Sequence, residues 1–108
     1  MASEQLQQLV AQFQAYQQQL QIVSSQKEAL NMQLLEAGKA LDELAKPAKD
    51  DVYKIVGPVL VKVKRDEAKT DLESKKELVM LRIKTLEKSE SKLKEKLIEL
   101  KDRLPKEE

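Results

Sequence analysis

Two β-rich runs, Val52-Tyr53-Lys54-Ile55-Val56 and Val59-Leu60-Val61-Lys62-Val63, meet at Gly57-Pro58 midway between two long segments with a seven-residue apolar repeat. Glycine followed by proline places a tight turn, because glycine takes the positive φ such turns need and proline is tolerated in a sheet only at a turn or bulge. The flanking repeats read as helices, so the chain is expected to fold back on itself at its middle. An isolated two-stranded hairpin is marginal in water and leaves two unpaired edges. Several copies are therefore expected to join their hairpins.

Ahead of the hairpin the apolar seam runs Leu6, Leu9, Phe13, Tyr16, Leu20, Val23, Lys27, Leu30, Leu34, Ala37, Leu41, Leu44, with intervals of three and four and one charged break at Lys27. Sustained this long, a strict heptad specifies a left-handed coiled coil rather than a globular helix with a broad apolar face. Ser3 is the N-cap candidate, Gly38 an internal weak point, and Pro47 the stop, since the residue before proline avoids the α region. A helix of about forty residues rises roughly 60 Å. After the hairpin, Arg65-Asp66-Glu67 opens a second helix with Asp66 as cap candidate. Its seam is Leu72, Lys76, Val79, Ile83, Leu86, Glu90, Leu93, Leu97, Leu100, Leu104, closed by Pro105. Leu78, Leu81 and Ile98 widen the apolar face of this second helix. Every glutamine precedes Leu34, whereas lysine and glutamate dominate the second helix, so the two present different outer surfaces.

The fold class follows: mainly α, a long antiparallel two-helix coiled coil with one central β-hairpin. It forms one domain over residues 1–108, with helix 1 over 4–46, the hairpin over 52–63 and helix 2 over 66–104. Folding about Gly57 sets Leu6 near Leu104 and Leu44 near Leu72, with both chain ends at the far tip. Within the hairpin, Val59, Val61 and Val63 share one face and Leu60 lies on the other with Lys62 and Lys64, while Val52 and Val56 oppose Tyr53 and Ile55. Apolar side chains on both faces suggest a sheet covered on both sides or curled into a small barrel, and assembly would supply that cover.

Composition narrows the function. With 36% charged and 3% aromatic residues, the apolar side chains are too few for an ordinary globular core and must work in a line. The chain has no cysteine and no histidine, which removes thiol nucleophiles, imidazole bases and the usual zinc ligands. No catalytic residue, cofactor site or metal site is expected, and Glu87 and Glu90 on a solvated helix lack a pocket to raise either pKa. The net charge of +1 disfavours nucleic acid. The lysine row Lys84, Lys88, Lys92, Lys96 reads as a solvated face with Glu87, Glu95 and Glu99 interleaved. No basic n-region with an apolar core and no run near the ~20 apolar residues of a membrane span is present, so a soluble cytoplasmic protein is expected.

The hairpin residues Val52-Tyr53-Lys54-Ile55-Val56-Gly57 with Val59-Leu60-Val61, and the run Leu81-Arg82-Ile83-Lys84-Thr85-Leu86-Glu87-Lys88 followed by Lys92-Leu93, resemble the archaeal β-type prefoldin subunits across about the whole chain. Pro58 departs from the polar turn residue common in that family. The resemblance implies that the central β-hairpin joins an oligomeric β-barrel platform, the double β-barrel of a hexamer of two α-type and four β-type subunits. It further implies an ATP-independent holdase whose coiled-coil tips hold non-native polypeptides and deliver them to a group II chaperonin. By position, Val52, Tyr53, Ile55, Val56, Val59, Leu60 and Val61 become the oligomerisation residues, and Leu6, Leu9, Val10, Leu97, Leu100 and Leu104 the client-binding residues. Two other readings use the same seams: the tip leucines as the last packed layers of the coiled coil, and the whole chain as a structural spacer or tether without clients. The hairpin favours the chaperone, since a tether gains nothing from it.

Overall fold

The computed structural model describes residues 3–47 and 51–105, and consists of α1 (Glu4–Ala45), β1 (Asp51–Val56), β2 (Val59–Lys64) and α2 (Arg65–Arg103). The expected single domain over 1–108 thus includes residues 1–2, 48–50 and 106–108, which lie outside the described residues. Contacts gather the chain into two units, a terminal one of Met1–Ala29 with Ile83–Glu108 and a hairpin one of Leu30–Arg82.

The helix ends follow from local chemistry. Leu6 N–H donates to Ser3 Oγ at 3.1 Å, and Gln7 N–H to the Ser3 carbonyl at 3.0 Å, so Ser3 caps α1 as expected. The helix stops at Ala45, one residue short of the expected end. Lys46 precedes Pro47, and its N–H turns back to the Glu43 carbonyl at 3.2 Å in a tightened last turn. At the other end, Leu104 N–H is shared between the Leu100 and Lys101 carbonyls at 3.1 and 3.2 Å before Pro105.

One expectation is corrected here. Asp66 is not the cap of α2, which begins at Arg65 directly after Lys64 of β2 with no linker between them. Asp66 lies inside the first turn, where its carbonyl accepts from Thr70 Oγ1 at 3.0 Å. A carboxylate suits the positive end of the helix both at the cap and in the first turn, so residue type alone does not separate the two placements.

Each seam position read from the heptads is buried or half-buried, with Ala37, Val79, Ile83 and Leu100 the most enclosed. Leu78, Leu81 and Ile98 are exposed in the single chain, as are Met32 and Leu35 of α1, so apolar surface extends beyond the seam. Gly38 stands half-buried in α1 at a cost of about 1 kcal/mol relative to alanine, and the space a methyl group would take there is empty.

In the hairpin unit, β1 and β2 pair antiparallel as Asp51↔Lys64, Val52↔Val63, Tyr53↔Lys62, Lys54↔Val61, Ile55↔Leu60 and Val56↔Val59. The symmetry point falls between Gly57 and Pro58. Gly57 has φ +58°, the sole positive φ among the described residues, and proline's fixed negative φ follows it. Positive then negative φ is the sign pattern of a type II′ hairpin turn, whose twist matches that of the strands.

Candidate functional site

Residues opposite each other in an antiparallel pair share a face, so the register sorts the hairpin into two surfaces. Val52, Val56, Val59, Val61 and Val63 with Lys54 form one. Tyr53, Ile55 and Leu60 with Asp51, Lys62 and Lys64 form the other. On the valine face only Val52 and Val63, at the root, are half-buried. The opposite face is open, with Tyr53 66%, Ile55 75% and Leu60 65% exposed. Its ion pair, Lys62 Nζ to Asp51 Oδ2 at 3.2 Å, is solvated and contributes little. All seven hairpin residues singled out from the sequence thus gather on one small sheet, split between its two faces. Among the described residues the sheet contains no third strand, so both β1 and β2 are edge strands.

The hairpin unit also holds a residue that sequence reading missed. Arg65 Nη1 donates to the Leu44 carbonyl and, at 2.6 Å, to the Lys46 carbonyl, closing the last turn of α1. A cation is welcome there, at the negative helix end, and unwelcome at the start of its own helix. That misplacement by its own helix was the available signal.

In the terminal unit the two helices run antiparallel. Leu9 lines a shallow groove with Gln5, Gln8, Gln12 and Arg103, Lys96 lies against Tyr16, and Lys27 meets Glu90. A symmetric fold-back about Gly57 puts the partner of Lys27 near residues 83–87. Glu90 lies about one helical turn past that range, within reach of two long side chains. Leu6, Leu9, Leu97 and Leu104 are half-buried, Val10 is exposed, and Leu100 is only 5% exposed.

Lys27 Nζ donates to Glu90 Oε1 at 2.9 Å, and Ser24 Oγ to Glu90 Oε2 at 3.2 Å, with the two charged side chains 27% and 15% exposed. Two of the three charged breaks in the seams therefore form one polar layer. Lys76 is half-buried with no ion pair among the described residues, consistent with a stem that covers the seam while its ammonium group stays in water. The hydrogen bond from Lys27 holds the Glu90 carboxyl below its ordinary range against partial desolvation, and the same bond raises the Lys27 ammonium. A lowered carboxylate stabilises the fold above its unfolded value and loses this as pH falls through the folded value. A raised ammonium stabilises below its unfolded value and loses this as pH rises through the folded one. The pair is thus fully effective between the carboxylate and lysine ranges. Thermal melts across pH should show wild type losing stability on acidification, and Glu90→Gln should be less stable at neutral pH with a shallower acid decline. Parallel profiles would remove the pair from the account.

A β-hairpin carried between antiparallel heptad helices, apolar on both faces, defines a single-hairpin coiled-coil subunit. The profile of the family described as "Prefoldin subunit" matches residues 7–107. Prefoldin subunit beta of Thermococcus kodakarensis is 45% identical over 89% of this chain and 83% of its own length, and that of Archaeoglobus fulgidus 44% over 93% and 87%. The crystal structure of the prefoldin beta subunit from Thermococcus strain KS-1 superposes with a TM-score of 0.83 at 43% identity, covering 94% of this chain and 90% of that one. The chain belongs to the prefoldin subunit family, whose members are molecular chaperones rather than enzymes, and it has the architecture of the β type. Prefoldin β subunits assemble with other prefoldin subunits. Among the described residues, no helix is long and apolar enough to cross a membrane.

Proposed function

We propose that this chain assembles with α-type prefoldin subunits and further copies of itself into a hexamer of two α-type and four β-type subunits. In the cytoplasm that hexamer captures non-native polypeptides without ATP and delivers them to a group II chaperonin. The observation that carries the reading is the hairpin, whose apolar side chains on both faces have little cover from their own chain. Val52, Tyr53, Ile55, Val56, Val59, Leu60 and Val61 make the assembly surface. Client contact falls at Leu6, Leu9, Val10, Leu97, Leu100 and Leu104, near the ends of the two helices, where Val10 is exposed, Leu100 buried and the other four half-buried. Several weak apolar ends on one assembly gain avidity together while each contact releases easily. No cofactor enters the cycle.

The test is light scattering from a chemically unfolded protein diluted, without ATP, into buffer holding this chain and an archaeal α-type prefoldin subunit. Suppressed scattering is expected, and Leu6→Ser with Leu104→Ser should restore much of it while leaving the assembly intact. Capture unchanged in that variant would move the client site elsewhere. Unchecked scattering from a formed hexamer would favour a spacer without clients.

A further inference from the structure

A second surface in the terminal unit has a different chemistry from the helix ends. Tyr16, Gln19, Ile22 and Val23 of α1 and Ser89, Lys92, Leu93 and Lys96 of α2 line a shallow groove of about 390 Å³. Its floor is apolar, and Ile22, which lies off the heptad seam, is 52% exposed. Its α2 rim is cationic. Lys92 and Lys96 are exposed and have no acid within ion-pair distance among the described residues. Lys96 Nζ stands 5.1 Å from the centroid of the Tyr16 ring, a cation–π contact that holds the ammonium group over the groove.

The facing wall supplies nothing to neutralise these charges. From Gln5 through Gln26, α1 has no aspartate, glutamate, lysine or arginine. Glu90 is engaged by Lys27, Ser24 and, at 3.9 Å, Lys94. Glu95 and Glu99, on the same helix as the two lysines, pair with neither of them. An apolar floor beside unpaired ammonium groups is complementary to an apolar side chain flanked by carboxylates, and charge complementarity of this kind sets which partner is accepted.

We propose that this groove is a peptide-binding subsite for acidic, apolar segments of non-native chains. It seats the apolar side chain on Ile22, Val23 and Leu93 and the carboxylates on Lys92 and Lys96. The proposal rests on the holdase reading and adds a charge preference to the apolar contacts assigned to the helix ends.

The test is fluorescence anisotropy of labelled peptides titrated with the full chain: one repeating Asp-Leu-Phe-Glu, the other Lys-Leu-Phe-Lys. The acidic peptide should bind about tenfold more tightly at low salt, a difference of about 1.4 kcal/mol, and lose most of that advantage at about 0.3 M salt. Lys92→Glu with Lys96→Glu, both exposed positions whose helicity is checked by circular dichroism, should reverse the preference, and Ile22→Ser should weaken the acidic peptide. Equal affinity for the two peptides, or a preference unchanged in the double variant, would overturn the subsite. Scattering reports separately: acidic-peptide binding by a chain that fails to suppress scattering keeps the groove and removes the holdase.

Discussion

Ile55→Asp combined with Leu60→Asp should abolish assembly with other prefoldin subunits and leave the helix content of the chain nearly unchanged. The two residues are direct cross-strand partners on the more open hairpin face, so the substitution removes the centre of one surface at once. Burying a side chain of this size contributes about 1.5–3 kcal/mol, and every subunit contact that uses the face repeats the loss. Aspartate adds two carboxylates that an apolar contact would have to desolvate unpaired. Neither residue lies on α1 or α2, and each already faces water in the single chain, so folding of the helices has little to lose. Analytical ultracentrifugation of the mixture with an α-type subunit, alongside far-ultraviolet circular dichroism, reads both quantities. Assembly of normal size in the double variant would mean that subunits meet elsewhere.

Arg65→Ala should destabilise the chain by about 2 kcal/mol. Two charge-assisted hydrogen bonds to the Leu44 and Lys46 carbonyls are lost, each worth about 1.5–3 kcal/mol, offset in part by removal of the buried Arg65 Nε, which has no partner among the described residues. Arg65→Lys should recover only part of the loss: both bonds come from the one nitrogen Nη1, and a lysine stem, one bond shorter, brings its ammonium group less far toward the two carbonyls. Urea unfolding followed by circular dichroism measures both variants. A change below about 0.5 kcal/mol for the alanine variant, the range of ordinary surface substitutions, would reduce this contact to a surface ornament.

Much of the fold was legible because it is written in local pattern. Every heptad position from Leu6 to Leu44 and from Leu72 to Leu104 is at least half-buried, Ser3 caps α1, and Gly57 turns the hairpin at the symmetry point of its register. Periodicity determines which face of a helix turns inward, and strand alternation determines which side chains share a surface. Less was legible where a residue type serves several positions equally well. Asp66 suited both the cap and the first turn.

By itself the sequence determined the element order, the two seams, the turn and the presence of apolar side chains on both hairpin faces, since each depends on neighbours within a turn or two along the chain. Only the tertiary structure decided which distant groups meet. Lys27 pairs with Glu90, Arg65 closes the end of α1, and Lys96 settles over Tyr16 beside a groove with no acid on its α1 wall. A heptad seam repeats every two turns, so it aligns two helices by face and leaves their axial offset to be chosen by individual long side chains. That offset depends on atoms more than sixty residues apart in the chain, and no local pattern records it.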